Sequence, residues 1–151
     1  MEVAKIDSNN IVVATMIVKT EKCLSNNGAV TDASCQAWCE NMFGAGFTYK
    51  ADILTNNKPD IGKIYDADKN AYHEGKPLDI EGNECTSWVW NTEHHKWHAP
   101  HMWGPMDGLK KIQWRESNSR WYAKPSGEAD GNWQTWNNTS SAWEDTGSST
   151  L

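Results

Sequence analysis

With 151 residues, ten tryptophans and a formal net charge of −6 at a sequence pI near 5.3, this chain can fill one ordinary domain or two small modules. The acidic balance gives no electrostatic footprint for DNA or RNA and little attraction to an anionic membrane, so neither nucleic acid nor membrane is an expected partner. No apolar run is long enough to span a bilayer and the opening MEVAKID lacks the apolar stretch of an export signal, so a soluble protein is expected.

Residues 3–18 read as a β-hairpin: Val3 to Ile6, a turn at Asp7-Ser8-Asn9-Asn10, then a run from Ile11 to Val18. That second run is apolar on both faces, which predicts a central or interface strand. A loop follows over 22–30. The spacing predicts a helix over 32–43, with Thr31 or Asp32 as its cap and Gly44 placed to end it. Its apolar face would be Cys35, Trp38, Cys39 and Met42, at i, i+3, i+4 and i+7. Residues 47–54 read as a further strand, followed by a turn through Asn56, Asn57, Pro59 and Asp60. This α+β module, 1–76, gives way near Pro77 to a second module, 77–151. Residues 78–85 read as an acidic, irregular connector or insertion.

From Tyr65 onward one spacing recurs four times: an aromatic, six polar or turn-forming residues, and a second aromatic. The pairs are Tyr65 and Tyr72, Trp90 and Trp97, Trp114 and Trp121, and Trp136 and Trp143. The inserts are rich in Asp, Asn, Ser, Thr and Lys, which form turns and tolerate left-handed backbone. A helix would also place i and i+7 on one side, but positions i+3 and i+4 carry no apolar support. Each unit therefore reads as a hairpin with its two rings directly opposite on one face and a four-residue loop such as 92–95 at its tip. Units of this size do not bury an apolar face alone, so neighbours must stack. Pro77, Pro100 and Pro125 follow three of the pairs and stop strand pairing. Gly-rich links at 101–108 and 126–131 join the later units. The expected fold is α+β, mostly β: an N-terminal hairpin and small sheet with one helix, then a C-terminal array of Trp-paired β-hairpins. Apart from Trp38, every tryptophan lies after Pro77, where branched aliphatics are few, so the core there must be aromatic.

Cys23, Cys35, Cys39 and Cys85 form no dense framework. Reduced thiols packed as small apolar groups are favoured over a disulfide involving Cys23 or Cys85. They are also favoured over a zinc site, because Cys-x3-Cys on one helix is not knuckle spacing. The carboxylates Asp66, Asp68, Glu74, Glu93, Glu116 and Glu128 sit among aromatics as in a glycoside hydrolase, but mostly at hairpin tips, where solvated charge is ordinary. His73, His94, His95, His98 and His101 include no metal-binding helix motif and read as a polar rim. No catalytic, cofactor or metal residue is assigned, and an enzyme is not expected.

In order along the chain, AKIDSNNIV, CENMFGAG, IGKIYD, SWVWNTEHHKW and PMDGLKKIQWRESNSRW resemble small virion-associated structural proteins of marine tailed phages, of the cyanophage and pelagiphage type. The resemblance covers most of the chain and departs from the pattern at 21–31 and 77–85, which are longer here, and in the added fourth pair. It implies a structural or accessory component of a phage particle, assembled in the host cytoplasm and carried in the virion as head decoration, neck or collar, or tail or fibre. Other virion proteins are then the expected partners, and a homo-oligomer on a symmetric particle the expected state. Trp88, Trp103 and Trp133 fall outside the four pairs and are the candidate contacts, with a partner protein or, alternatively, with a host-surface glycan stacked on exposed indoles.

Overall fold

In the computed structural model, which describes residues 1–125 and 131–151, the chain divides into two units. Met1–Gly75 with Thr92–Lys96 forms the first, and Lys76–Asn91 with Trp97–Leu151 the second. The 126–131 link, apart from Gly131, and Glu128 lie outside the described residues. The architecture is α+β and mostly β, with one helix and several small antiparallel sheets.

In the first unit, β1 (Glu2–Ile6) and β2 (Val12–Ile17) form the N-terminal hairpin. Asp7 closes its turn, its Oδ1 accepting from the N–H groups of Asn9 and Ile11, both at 2.9 Å, while Asn10 takes a left-handed φ of 63°. The central strand is β1, not the apolar β2, because β3 (Thr48–Ala51) pairs with the other edge of β1 to give the order β2-β1-β3. Successive side chains of β1 reach different cores: Val3 joins Cys23, Cys35, Cys39 and Tyr49, whereas Ala4 and Ile6 join Val12, Tyr65 and Tyr72. Being buried on both faces thus falls to a five-residue strand that is short but doubly covered. Near its start the outer edge of β2 is met by the 62–65 segment, where Val12 N–H donates to Lys63 O and Tyr65 N–H to Asn10 O.

Helix α1 (Asp32–Phe43) begins as expected at Thr31. Thr31 Oγ1 accepts from Ser34 N–H at 3.1 Å and Thr31 N–H donates to Ser34 Oγ at 2.9 Å, so both orphan donors are satisfied reciprocally. Gly44, at φ 98°, ends it by donating to Glu40 O. Cys35 and Cys39 face the sheet, but Met42 does not: it lies past the last turn that the small sheet can cover and stays 55% exposed. The 47–54 strand is shorter than its sequence suggests, since after Ala51 the chain tightens into a 3-10 turn, Asp52–Leu54. Gln36 ties helix to strand, accepting from Tyr49 N–H at 2.7 Å and donating to Phe47 O at 2.8 Å.

The four aromatic hairpins are β4 (Ile64–Asp66) with β5 (Ala71–His73), β6 (Val89–Asn91) with β7 (Lys96–His98), β8 (Leu109–Arg115) with β9 (Arg120–Pro125), and β10 (Gln134–Asn137) with β11 (Ala142–Asp145). The third and fourth do not stack as separate units. They join edge to edge in a four-stranded antiparallel sheet, β11-β10-β9-β8, with Thr135 opposite Tyr122. Every tip places a left-handed residue at the fifth position after its first aromatic: Asn70 at φ 46°, His95 at 48°, Ser119 at 53° and Ser141 at 51°. That residue turns the chain back so that the second ring meets the first. At the first and last tips a side chain one position after the aromatic caps the turn: Asp66 Oδ1 accepts from Lys69 N–H and Asn137 Oδ1 from Thr139 N–H.

Left-handed backbone costs an L-residue about 1–2 kcal/mol, and a β-branched one most. Ser119→Val is therefore expected to destabilise the second unit by about 1–2 kcal/mol in urea unfolding, whereas Ser119→Gly leaves stability equal or higher.

Candidate functional site

In three hairpins the rings stand directly opposite in register: Tyr65 and Tyr72, Trp114 and Trp121, Trp136 and Trp143. Ring centroids are 5.3 Å apart in the first pair, 5.3 Å for Trp90 and Trp97, 5.2 Å in the third and 5.4 Å in the fourth. The three Trp pairs meet edge to face, at 75°, 66° and 61°, which sets the positive ring edge on the negative face. Each such contact is worth about 0.5–1.5 kcal/mol beyond burial. Tyr65, Tyr72, Trp114 and Trp121 are buried, and the second and fourth pairs half-buried.

Over the third and fourth pairs runs a strap, residues 101–106, with no regular structure of its own. Four contacts fix it. Trp121 Nε1 donates to His101 O at 2.7 Å, Trp103 packs edge-on to Trp121 at 4.8 Å and 78°, Gly104 lies against Trp136, and Trp143 Nε1 donates to Pro105 O at 2.9 Å. Burying an indole without an acceptor for its N–H is costly, and the strap carbonyls supply two acceptors. Held this way, the strap turns Met102 (72% exposed), Trp103 (40%) and Met106 (50%) outward.

The three unpaired tryptophans have separate fates. Trp88 is half-buried against Trp114 at 5.9–6.4 Å from the rings of the third pair, with centroids 6.4 Å from Trp114 and 5.9 Å from Trp121. Trp133 is 8% exposed, with Lys124 Nζ 5.3 Å from its ring centroid and its backbone pinned to Ser148 and Thr146. Of the three, Trp103 alone keeps a large exposed face, and no coplanar platform is formed between it and Trp121.

In the second unit, Asp79 and Glu116 are the carboxylates that accept three and four hydrogen bonds. Asp79 Oδ1 accepts from Glu81 and Asn83 N–H at 2.9 and 2.8 Å, and its Oδ2 accepts from Glu116 N–H at 2.9 Å. Glu116 in turn accepts from Thr86 Oγ1, Ser87 N–H, Ser87 Oγ and Trp114 Nε1, at 2.6–2.9 Å. The segment 78–85, expected to be an irregular connector, is thereby sewn to the third hairpin tip, with Ile80 N–H donating to Trp114 O at 3.0 Å. A cleft of about 240 Å³ lies along this seam, lined by Leu78, Asp79, Trp88, Ile112, Trp114 and Trp121. Glu116 stands at a tip, as its sequence position implies, yet it is not a solvated charge. The Asp79-Ile-Glu-Gly-Asn83 run was the available signal, since an Asp so placed caps its own turn. Burial raises both carboxyls, but the donated hydrogen bonds outweigh it and hold each below the usual range. In the first unit Asp66 pairs with Lys69 and lies 3.6 Å from His73 Nε2, while Gly75 N–H donates to His73 Nδ1 at 2.9 Å. Burial lowers the His73 pKa.

Because Asp79 and Glu116 have folded pKa values below the unfolded ones, about 3.9 and 4.3, their contribution is complete above that range and is lost as pH falls through the depressed folded values. Denaturant midpoints of the second unit are expected to drop as pH falls below about 5, and to drop less in Asp79→Asn. A Cβ on Gly104 would sit 2.0 Å from the Trp136 ring, so Gly104→Ala must displace that indole. A loss of about 1–3 kcal/mol is expected, with a changed tryptophan fluorescence spectrum in the folded state.

Comparison with protein-family models, with curated proteins and with solved structures finds no match.

Proposed function

We propose that this chain is a structural or accessory protein of a phage particle that docks on other virion proteins through the strap at 101–106. The observation that carries this reading is the exposure of Met102, Trp103 and Met106 on backbone fastened by two indole N–H bonds. Large apolar side chains left in water on an otherwise strongly hydrophilic chain, with a mean hydropathy of −0.77, are costly unless a partner covers them. Methionine adapts to irregular apolar surfaces and tryptophan is the residue type most enriched at interface hot spots. Because the strap is fixed before contact, little ordering entropy is lost on binding. The order of sequence motifs resembling marine tailed-phage virion proteins supports a particle as the setting. Repeated copies on a symmetric particle would multiply a modest patch into firm attachment, so self-association or ring formation belongs to the same reading.

Sheet-edge addition is a weaker route for docking. The outer strands of the four-stranded sheet are β8, broken by a register shift where Lys111 turns left-handed, and β11, which carries Glu144 and Asp145. Both devices discourage a foreign strand.

Met102→Glu combined with Met106→Glu is expected to leave the far-ultraviolet circular dichroism unchanged, since both side chains are exposed. It should weaken co-sedimentation with purified phage particles at least tenfold, about 1.4 kcal/mol. Undiminished co-sedimentation of the double variant would remove the strap as the docking face. A glycan-array signal abolished by Trp103→Ala would replace protein docking with sugar binding.

A further inference from the structure

Cys23, Cys35 and Cys39 lie far apart in sequence from any recognised ligand pattern, yet their sulfur atoms come within 4.8 Å of one another. All three are fully buried. Two of them share the inner face of α1, one turn apart. The third arrives on the 3-10 turn Thr20–Cys23, and it is placed by the helix cap itself: Ser34 Oγ donates to Cys23 O at 2.6 Å. The same residue that starts the helix therefore fixes the third thiol beside the other two. Around them stand Val3, Val18, Tyr49 and Ala51, with the thioether-bearing Met1 and Met16 packed against the cluster.

We propose that Cys23, Cys35 and Cys39 form a three-coordinate thiolate site for a soft monovalent d10 metal ion of the Cu(I) class. An ion about 2.3 Å from each of three sulfurs in a trigonal plane spaces them about 4 Å apart, so the cluster needs to contract by less than about 1 Å. No His, Asp or Glu among the described residues joins the three donors. Structural zinc sites close with four ligands, whereas three soft sulfurs in a dry pocket suit a cation that prefers sulfur and low coordination. Cys35 and Cys39 stand on successive turns of one helix, a fixed geometry that favours a bridging ion over a direct bond between them. Without an ion, burial pushes the Cys39 thiol up to about 11 and Cys35 higher still, so these two pack as neutral, weakly polar groups. On binding, each coordinated thiol releases its proton to solvent as its metal–sulfur bond forms, and the ion stays Cu(I) throughout. Cys85, buried with Trp114 and Trp121 in the second unit, takes no part.

The test is anaerobic titration of the reduced protein with Cu(I) delivered from a competing bicinchoninate chelator. One equivalent retained per chain is expected, with a raised thermal transition and an X-ray absorption signature of three sulfurs at about 2.3 Å. Cys85→Ser should keep that equivalent, and Cys35→Ser or Cys39→Ser should lose it. Because a serine in the core can unfold the first unit by itself, the wild-type absorption spectrum decides independently of the variants. Failure to hold the ion against the chelator, a two-sulfur signature, or tighter binding of Zn(II) than of Cu(I) would each overturn the assignment. So would a thiol titration of the unfolded, unreduced protein that finds two reactive thiols instead of four, since it would place a disulfide here.

Discussion

Each of the four aromatic hairpins depends on two rings that meet across a four-residue tip. Strands of three or four residues, as in β4 to β7 and β10 with β11, have too few ladder bonds to persist in water. The ring pair supplies what the ladder lacks, and it does so only if the last loop residue is left-handed. Asn70, His95, Ser119 and Ser141 all adopt that conformation, without a glycine among them. The tip thus carries backbone strain that the ring contact offsets. A spacing of seven is what remains fixed along the chain, while the residues inside it vary from YDADKNAY to WNNTSSAW.

What covers the rings then differs by unit, for a reason set by their chemistry. The tyrosine pair is sealed by small and branched aliphatics, Ala4 and Ile6 of β1 and Val12 of β2. The third and fourth pairs, of tryptophan, have few aliphatics to meet, so they meet Trp88, Ile112 and each other. An indole also brings an N–H that is costly to leave dry; Trp88 Nε1 is buried without an acceptor, but three others find one. Trp114 finds the Glu116 carboxylate, Trp121 finds His101 O, and Trp143 finds Pro105 O. The irregular segments 77–88 and 101–106 are consequently not slack between hairpins. The strap carbonyls accept the Trp121 and Trp143 indole N–H groups, while 77–88 holds in place, through Asp79, Thr86 and Ser87, the Glu116 carboxylate that accepts from Trp114.

Periodic features were legible before any coordinates. The seven-residue spacing named the hairpins, Thr31 and Gly44 bounded the helix, and the Asp7 to Asn10 run marked the first turn, because each depends on neighbours within one turn or one loop. Features set by tertiary partners were not. Nothing local distinguishes β1 from β2, and the more apolar run became the edge because the chain after α1 returned to β1. Met42 continues the helical stripe but outruns the sheet beneath it. Cys23 lies twelve residues from Cys35 and meets it through shared core packing and the Ser34 link to its carbonyl. Asp79 and Glu116 are thirty-seven residues apart and act as one network. Trp88, Trp103 and Trp133 stood out equally as unpaired rings, yet one is wedged, one exposed and one buried, since only packing separates them.

An aromatic core fastened by straps constrains where a partner can be received. A strap held by its carbonyls must present its side chains on the opposite side, so the fastening that protects the indoles is the same one that turns Met102 and Met106 to solvent. Replacing those two by polar residues would cost the core nothing, because neither contributes to the four contacts that hold the strap. Their apolar character is therefore not set by the contacts that hold the strap, which agrees with the docking role proposed for it. With the edges of the sheet guarded by the shift at Lys111 and by Glu144 and Asp145, the proposed docking face is the surface where contact adds burial without competing for the backbone.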